Sequence, residues 1–136
     1  MSVESNKAAA RGYFDAVGRG DRAALLALFR PDLRWSVPKG AIAPYGGMHW
    51  GAEAIVELML GAVGAAFIPG SQHVAIRLLL AEGEIVIAET RMTAKRPNGA
   101  PDYDNNYVFV FEFVGGKIAE IREHVDTRYA AQVFGA

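Results

Sequence analysis

Four long segments of strand-like alternation fill the second half of the chain, and they constrain the fold more than any other feature. Gln72 to Ala81, Glu84 to Ala94, Tyr103 to Val114 and Lys117 to Asp126 each carry the period of two expected of a half-buried strand. Glu82-Gly83 and Gly115-Gly116 are tight hairpin signals, and Arg96-Pro97-Asn98-Gly99 marks a wider turn. Strands joined in this way form an antiparallel meander. The first half reads as helical. Glu4 to Val17 places Ala10, Phe14 and Val17 on one face with Tyr13 at its edge, and Gly18-Arg19-Gly20 ends it. Asp21 is an N-cap for a second helix, Arg22 to Phe29, and a third spans Ala52 to Phe67. Between them Pro31-Asp32 reads as a turn, Leu33 to Val37 as a short strand and Lys39 to Gly51 as an ordered loop. Thr127 to Phe134 closes the chain as a short helix. Helices first and strands afterwards is an α+β order, and helices packed on one curved sheet leave a concavity in which a pocket would sit.

Composition narrows the chemistry. At 136 residues the chain fits one domain, residues 1–136, and 51% hydrophobic residues are enough to bury a core. Fourteen basic against fifteen acidic residues give a net charge of −1 with no block of like charge. The electrostatic footprint of a nucleic-acid or anionic-membrane partner is therefore missing. With no cysteine there is no disulfide framework, thiolate metal site or cysteine nucleophile. No basic-then-apolar leader and no span of about 20 apolar residues is evident, so the expectation is a cytoplasmic protein without a membrane partner. Metal-binding H-E-x-x-H, nucleophile-elbow and nucleotide-loop motifs are absent, so neither metal nor cofactor is expected.

Face arithmetic picks out the polar groups that point inward. On the last strand Ala119, Ile121, Glu123 and Val125 share one face, opposite Glu120, Arg122, His124 and Asp126. Glu123 is thus an acid among apolar neighbours, the setting in which a carboxyl is either paired or raised in pKa and becomes a general acid or base. On the preceding strand Asn105, Tyr107, Phe109, Phe111 and Phe113 form the expected inner face, with Asn105 and Tyr107 at its polar end. Glu89 and Arg91 share a face that could lie beside Glu123 or outside, since both faces of their strand are apolar. With Arg91 near, Glu123 would be ionised at neutral pH. His49 could edge the pocket, whereas His73 lies on a face whose burial periodicity leaves open.

The run Tyr13 to Val17 with Gly20-Asp21, then Leu25 to Phe29, Asp32 and Trp35, resembles the opening of the nuclear transport factor 2-like superfamily. Tyr103 to Tyr107, Gly116-Lys117-Ile118 and Arg122 to Thr127 resemble its SnoaL-like branch, grouped with polyketide cyclases, ketosteroid isomerases and limonene epoxide hydrolases. The resemblance covers nearly the whole chain. It implies a cone-shaped α+β barrel, in which N-terminal helices pack on a strongly curved, mostly antiparallel sheet enclosing an apolar pocket, and a homodimer. By resemblance to ketosteroid isomerases, Tyr13 takes the place of the tyrosine that polarises the substrate oxygen, and Asn105 that of its partner donor. The base of that family falls at Val37, which cannot take a proton. By resemblance to limonene epoxide hydrolases, Glu123 is the base, with Glu89 and Arg91 in reversed order on a neighbouring strand. Their water-holding Tyr and Asn fall at Trp35 and Val37.

The expectation is a small hydrophobic ligand in an apolar pocket and cofactor-independent acid/base chemistry of isomerase, cyclase or lyase type on a carbonyl compound. Glu123, Tyr13 and Asn105 are the catalytic candidates, with Tyr107 as a further donor. Phe14, Val17, Trp35, Val37, Met48, His49, Trp50, Met59, Phe67, His73, Glu89, Arg91, Val125 and Phe134 complete the candidate binding set. A non-catalytic ligand-binding or dimerisation module and an epoxide hydrolase-like enzyme, with Glu123 and Arg91 on a water, are the alternatives. A homodimer is expected through an outer sheet face bearing Thr90, Met92, Val108 and Val110.

Overall fold

The computed structural model describes residues 2–134, and side chains outside residues 62–65. Helix α1 (Val3–Arg19) starts at Ser2, whose hydroxyl accepts from the Ser5 amide at 3.0 Å, and ends at Gly20 in the left-handed region at φ 65°. Asp21 caps α2 (Arg22–Leu28) by accepting from the Ala24 amide at 3.0 Å. The chain then runs through β1 (Phe29–Val37), β2 (Gly47–Trp50), α3 (Ala52–Ala66), β3 (His73–Glu82) and β4 (Ile85–Ala94). A 3-10 turn at Pro97–Gly99 leads to β5 (Tyr103–Val114), β6 (Lys117–Val125) and α4 (Thr127–Phe134). Among the described residues no helix is long and apolar enough to cross a membrane.

The strands form one six-stranded sheet in the order β2-β1-β6-β5-β4-β3. All neighbours are antiparallel except β1 and β6, which run parallel. The sheet is not a closed barrel: β2 and β3 are its free edges. Helix α1 lies across β3 and β4 and α3 lies against β1, so one face of the sheet carries the core. There Tyr13 and Phe14 of α1 meet Phe109 and Phe111 of β5 in edge-to-face contacts, with ring centroids 5.0–6.1 Å apart.

Three departures from the sequence expectation have local causes. Strand β1 begins at Phe29 and runs through Pro31-Asp32, which were expected to turn. Pro31 lies in the register break between Phe29 and Arg34, and β2 pairs only with Arg34 to Val37, so its missing N–H leaves no ladder partner unsatisfied on that side. The end of the expected loop is strand β2, an edge strand that forms by pairing with β1. In β3 a bulge between Ile76 and Leu78 shifts the alternation by one residue, so Leu78 and Leu80 turn outward and Leu79 packs on the core.

Candidate functional site

A cavity of about 680 Å³ lies between the inner sheet face and the helices. Its apolar wall includes Phe14, Val17, Val37, Met59, Phe67 and Val125, all expected from sequence. Phe134 joins them because α4 folds over the end of β5, where its ring stacks on Tyr103 at 5.2 Å. Arg96 donates to the Val133 carbonyl at 2.8 Å and ties α4 to the turn after β4, whose Pro97 and Asn98 also line the cavity.

The polar groups facing this space are few. Glu123 sits on the inner face of β6 beside fully buried Ile121, opposite Phe109 of β5, and the surface it keeps faces the cavity it lines. The indole N–H of Trp35 donates to its Oε1 at 3.3 Å. Trp35 reaches this carboxyl because β1 runs parallel to β6 in a register that sets Trp35 against Ile121. Among the described residues no cation lies within ion-pair distance of Glu123. Burial therefore pushes the carboxyl up to about 7, and the Trp35 hydrogen bond opposes this only in part.

Tyr13 points its hydroxyl at the Met59 thioether, 3.9 Å away, a weak acceptor, so its proton remains available to a better one. Tyr107 lines the cavity next to Phe109, with which it stacks at 5.6 Å. Burial raises both phenols well above the usual tyrosine range, and an ionised Glu123 would raise both further, which keeps them as O–H donors. A carboxyl near its neutral point and two protonated phenols thus face one apolar space.

Several candidates lie elsewhere. Arg91 and Glu89 are on the outer face of β4, where Arg91 holds Asp104 with two hydrogen bonds of 2.8 and 2.6 Å. The expected ionised Glu123 beside Arg91 is thereby corrected. Thr90 and Met92, expected outside, face inward and line the cavity, because the β4–β5 register sets them opposite Tyr107 and Asn105. Met48 and Trp50 point out of β2, with Trp50 66% exposed, and His73 is exposed near the start of β3. His49 does not line the cavity; it packs on Trp35 with ring centroids 5.2 Å apart and its Nε2 meets the Tyr45 carbonyl at 2.6 Å. Asn105 is buried, but both ends of its amide are taken up by protein groups. It is not a free donor to the cavity.

Sequence reasoning missed Ile42 and Tyr45 of the loop before β2, Gln72 before β3 and the turn after β4. The glycine, proline and aromatic content of residues 39–51 was the available signal for the first two. No clear signal marked the others. Among the described residues no group of three or more His, Cys, Asp or Glu is placed to hold a metal ion.

The sequence matches the SnoaL-like domain family over residues 10–121. A nuclear transport factor 2-like protein of unknown function from Burkholderia pseudomallei K96243 has the same fold, with a TM-score of 0.83, 25% identity and full coverage of both chains. Bal32a from a soil-derived mobile gene cassette superposes with a TM-score of 0.78 at 30% identity over 94% of each chain. TerC, co-crystallised with polyporic acid, superposes with a TM-score of 0.81 at 20% identity, covering 97% of this chain and 99% of its own, a likeness of fold alone. No curated protein matches the sequence.

Proposed function

The chain belongs to the SnoaL-like domain family, and from that premise we propose that it binds a small apolar carbonyl compound and moves a proton on it without a cofactor. The observation that carries this reading is Glu123: a carboxyl facing an apolar cavity, with no paired cation, brought to about 7 by burial. A group with that pKa is both a competent acceptor and a competent donor of a proton at neutral pH.

The chemistry follows from the groups present. Ionised Glu123 takes a proton from the carbon beside the carbonyl, and the C–H electron pair moves into the carbonyl to leave an enolate. The Tyr13 hydroxyl, whose protein partner is only a thioether, donates to the developing oxyanion. Return of the proton from Glu123 to another carbon completes an isomerisation. Attack of the enolate carbon on a second carbonyl of the same molecule moves that carbonyl's π pair onto its oxygen, and the alkoxide takes the proton back from Glu123 to complete a cyclisation. TerC, which shares the fold, was co-crystallised with polyporic acid.

Deuterium exchange at the carbon beside the carbonyl of small apolar ketones, followed by NMR, tests this without knowledge of the natural substrate. Catalysed exchange that vanishes in Glu123→Gln supports it. Exchange no faster than buffer, with the ketone bound, leaves a binding module in its place. An epoxide hydrolase-like site loses its arginine, because Arg91 lies on the other face of the sheet.

The partner reading is a homodimer through the outer sheet face. Leu78, Leu80 and Ile87 are exposed there, continuous through strand pairing with half-buried Val108 and Val110. Exposed apolar side chains gathered on one face are a common mark of a self-association surface.

A further inference from the structure

We propose that Tyr107 is a directed hydrogen-bond donor to the ligand oxygen, and that Asn105 and Tyr103 are positioning residues that aim its proton into the cavity. This rests on the reading that the cavity takes a carbonyl compound.

The amide of Asn105 is fixed by two backbone groups of opposite character. Its Oδ1 accepts from the Asn106 N–H at 2.9 Å, and its Nδ2 donates to the Asp126 carbonyl at 3.2 Å. A backbone N–H only donates and a carbonyl only accepts, so the amide has one orientation. Its second Nδ2 hydrogen therefore goes to the Tyr103 hydroxyl, 2.9 Å away. Tyr103 in turn lies 2.6 Å from the Tyr107 hydroxyl.

Two directions exist for that last bond. If Tyr107 donated to Tyr103, the Tyr103 oxygen would accept twice and its own proton would need another acceptor. Among the described residues it has none: Asn105 and Tyr107 are its partners, Tyr103 is 0% exposed, and it does not line the cavity. A buried unsatisfied donor is costly. If Tyr103 donates to Tyr107, the Asn105 amide and the Tyr103 hydroxyl are both fully satisfied. The one free proton of this Asn105–Tyr103–Tyr107 chain is then that of Tyr107, which faces the cavity. Accepting from Tyr103 also polarises the Tyr107 O–H and strengthens it as a donor.

The sheet register adds the distance to the base. Tyr107 is paired with Val125 and Phe109 with Glu123, so Tyr107 and Glu123 are diagonal neighbours on the inner face, with side chains rooted roughly 7–8 Å apart. An oxygen on Tyr107 therefore leaves the adjoining carbons toward Glu123. The ligand class is one with a lone-pair oxygen within a bond or two of an acidic C–H. An ammonium or amide N–H in that place would face a donor and be rejected.

The probe is acetophenone labelled with ¹³C at its carbonyl, bound to the protein and read by infrared spectroscopy. Donation from Tyr107 lowers the C=O stretch below its position in an apolar solvent. Measurements are made in a Glu123→Gln background, so that catalysis plays no part and this carboxyl does not titrate. Failure of Glu123 as a base would leave the spectrum unchanged, which keeps the two proposals separable. Tyr107→Phe is expected to remove the share of the downshift that Tyr107 supplies, leaving that of Tyr13. Asn105→Asp supplies an acceptor for the Tyr103 proton, which reverses the chain and turns the Tyr107 proton away from the ligand. The Tyr107 share of the downshift should be lost when the new carboxyl ionises and return when it is protonated, a pH dependence that a packing role would not produce. If Asn105→Asp fails to fold, Tyr107→Phe decides alone. An unchanged stretch in Tyr107→Phe, a pH-independent stretch in folded Asn105→Asp, or no saturable binding of acetophenone overturns the proposal.

Discussion

Trp35 donates its indole N–H to the Glu123 carboxyl across the one parallel junction of the sheet, at 3.3 Å. The first strand supplies the donor and the last strand the acid, so the hydrogen bond spans 88 residues of chain. It also places a fluorophore on the group whose protonation is proposed to matter. The chain has two tryptophans, and the other, Trp50, is exposed. In Trp50→Phe the emission of Trp35 should change with pH about a midpoint near 7. Glu123→Gln in the same background should flatten that titration. A midpoint in the ordinary carboxylate range would mean that the carboxyl is solvated or paired.

The same burial makes a stability prediction. Folded Glu123 holds its proton up to about pH 7, whereas the unfolded chain gives it up in the ordinary carboxylate range. Between those values the native state binds the extra proton, so its stabilisation is complete at low pH and is lost as pH rises through 7. The loss is on the order of 2–3 kcal/mol between pH 5 and pH 8. Glu123→Leu removes the titrating group and should be stabilising relative to the parent at pH 8, less so at pH 5, by thermal melting. A loss beyond about 2 kcal/mol at pH 8 would identify Glu123 as half of a structural pair.

Arg91 should not matter to either measurement. Its Asp104 pair is about half exposed on both sides and lies on the outer face. Arg91→Ala should shift the Trp35-reported midpoint by less than half a unit and cost at most about 1 kcal/mol in stability. A clear rise in that midpoint would show that the guanidinium reaches the inner face.

The contrast between Glu123 and Arg91 shows what was legible in the sequence. Along β5 and the part of β6 beyond its irregularity at Ile118 and Ala119 the alternation holds, and Ile121, Glu123, Phe109 and Phe111 fall on the face it predicts. The bounds of β5 and α4 also follow the sequence, because Tyr103 to Val114 and Thr127 to Phe134 are set off by turn residues. On β4 both faces are apolar, so periodicity is silent. Only the register against β5 decides that Thr90 faces Tyr107, and the wide turn between the strands hides that register. In β3 the bulge after Ile76 reverses the faces midway, which no composition signal announces. Strand β2 has no pattern of its own and exists through its pairing with β1. Asn105 was placed on the correct face, but its partners come from Asp126 and Tyr103, a three-dimensional matter.

The outer-face dimer is tested in solution. Leu80 is 55% exposed and lies opposite Ile87, so Leu80→Lys places a charge within the proposed interface without touching the cavity. Light scattering at micromolar concentration should give a dimer for the parent chain and a monomer for Leu80→Lys. A monomeric parent would remove the dimer.

Proton transfer through Glu123 is tested most directly by the pH dependence of ketone exchange. The rate of deuterium incorporation beside the carbonyl of saturating acetone or acetophenone is followed by NMR from pH 5 to 9. A basic carboxylate predicts a rate that rises with pH to a plateau, with a midpoint near 7 matching the Trp35 titration, and that falls to the buffer rate in Glu123→Gln. Exchange that persists in Glu123→Gln, or that never exceeds buffer in the parent protein, would contradict Glu123 as the proton carrier.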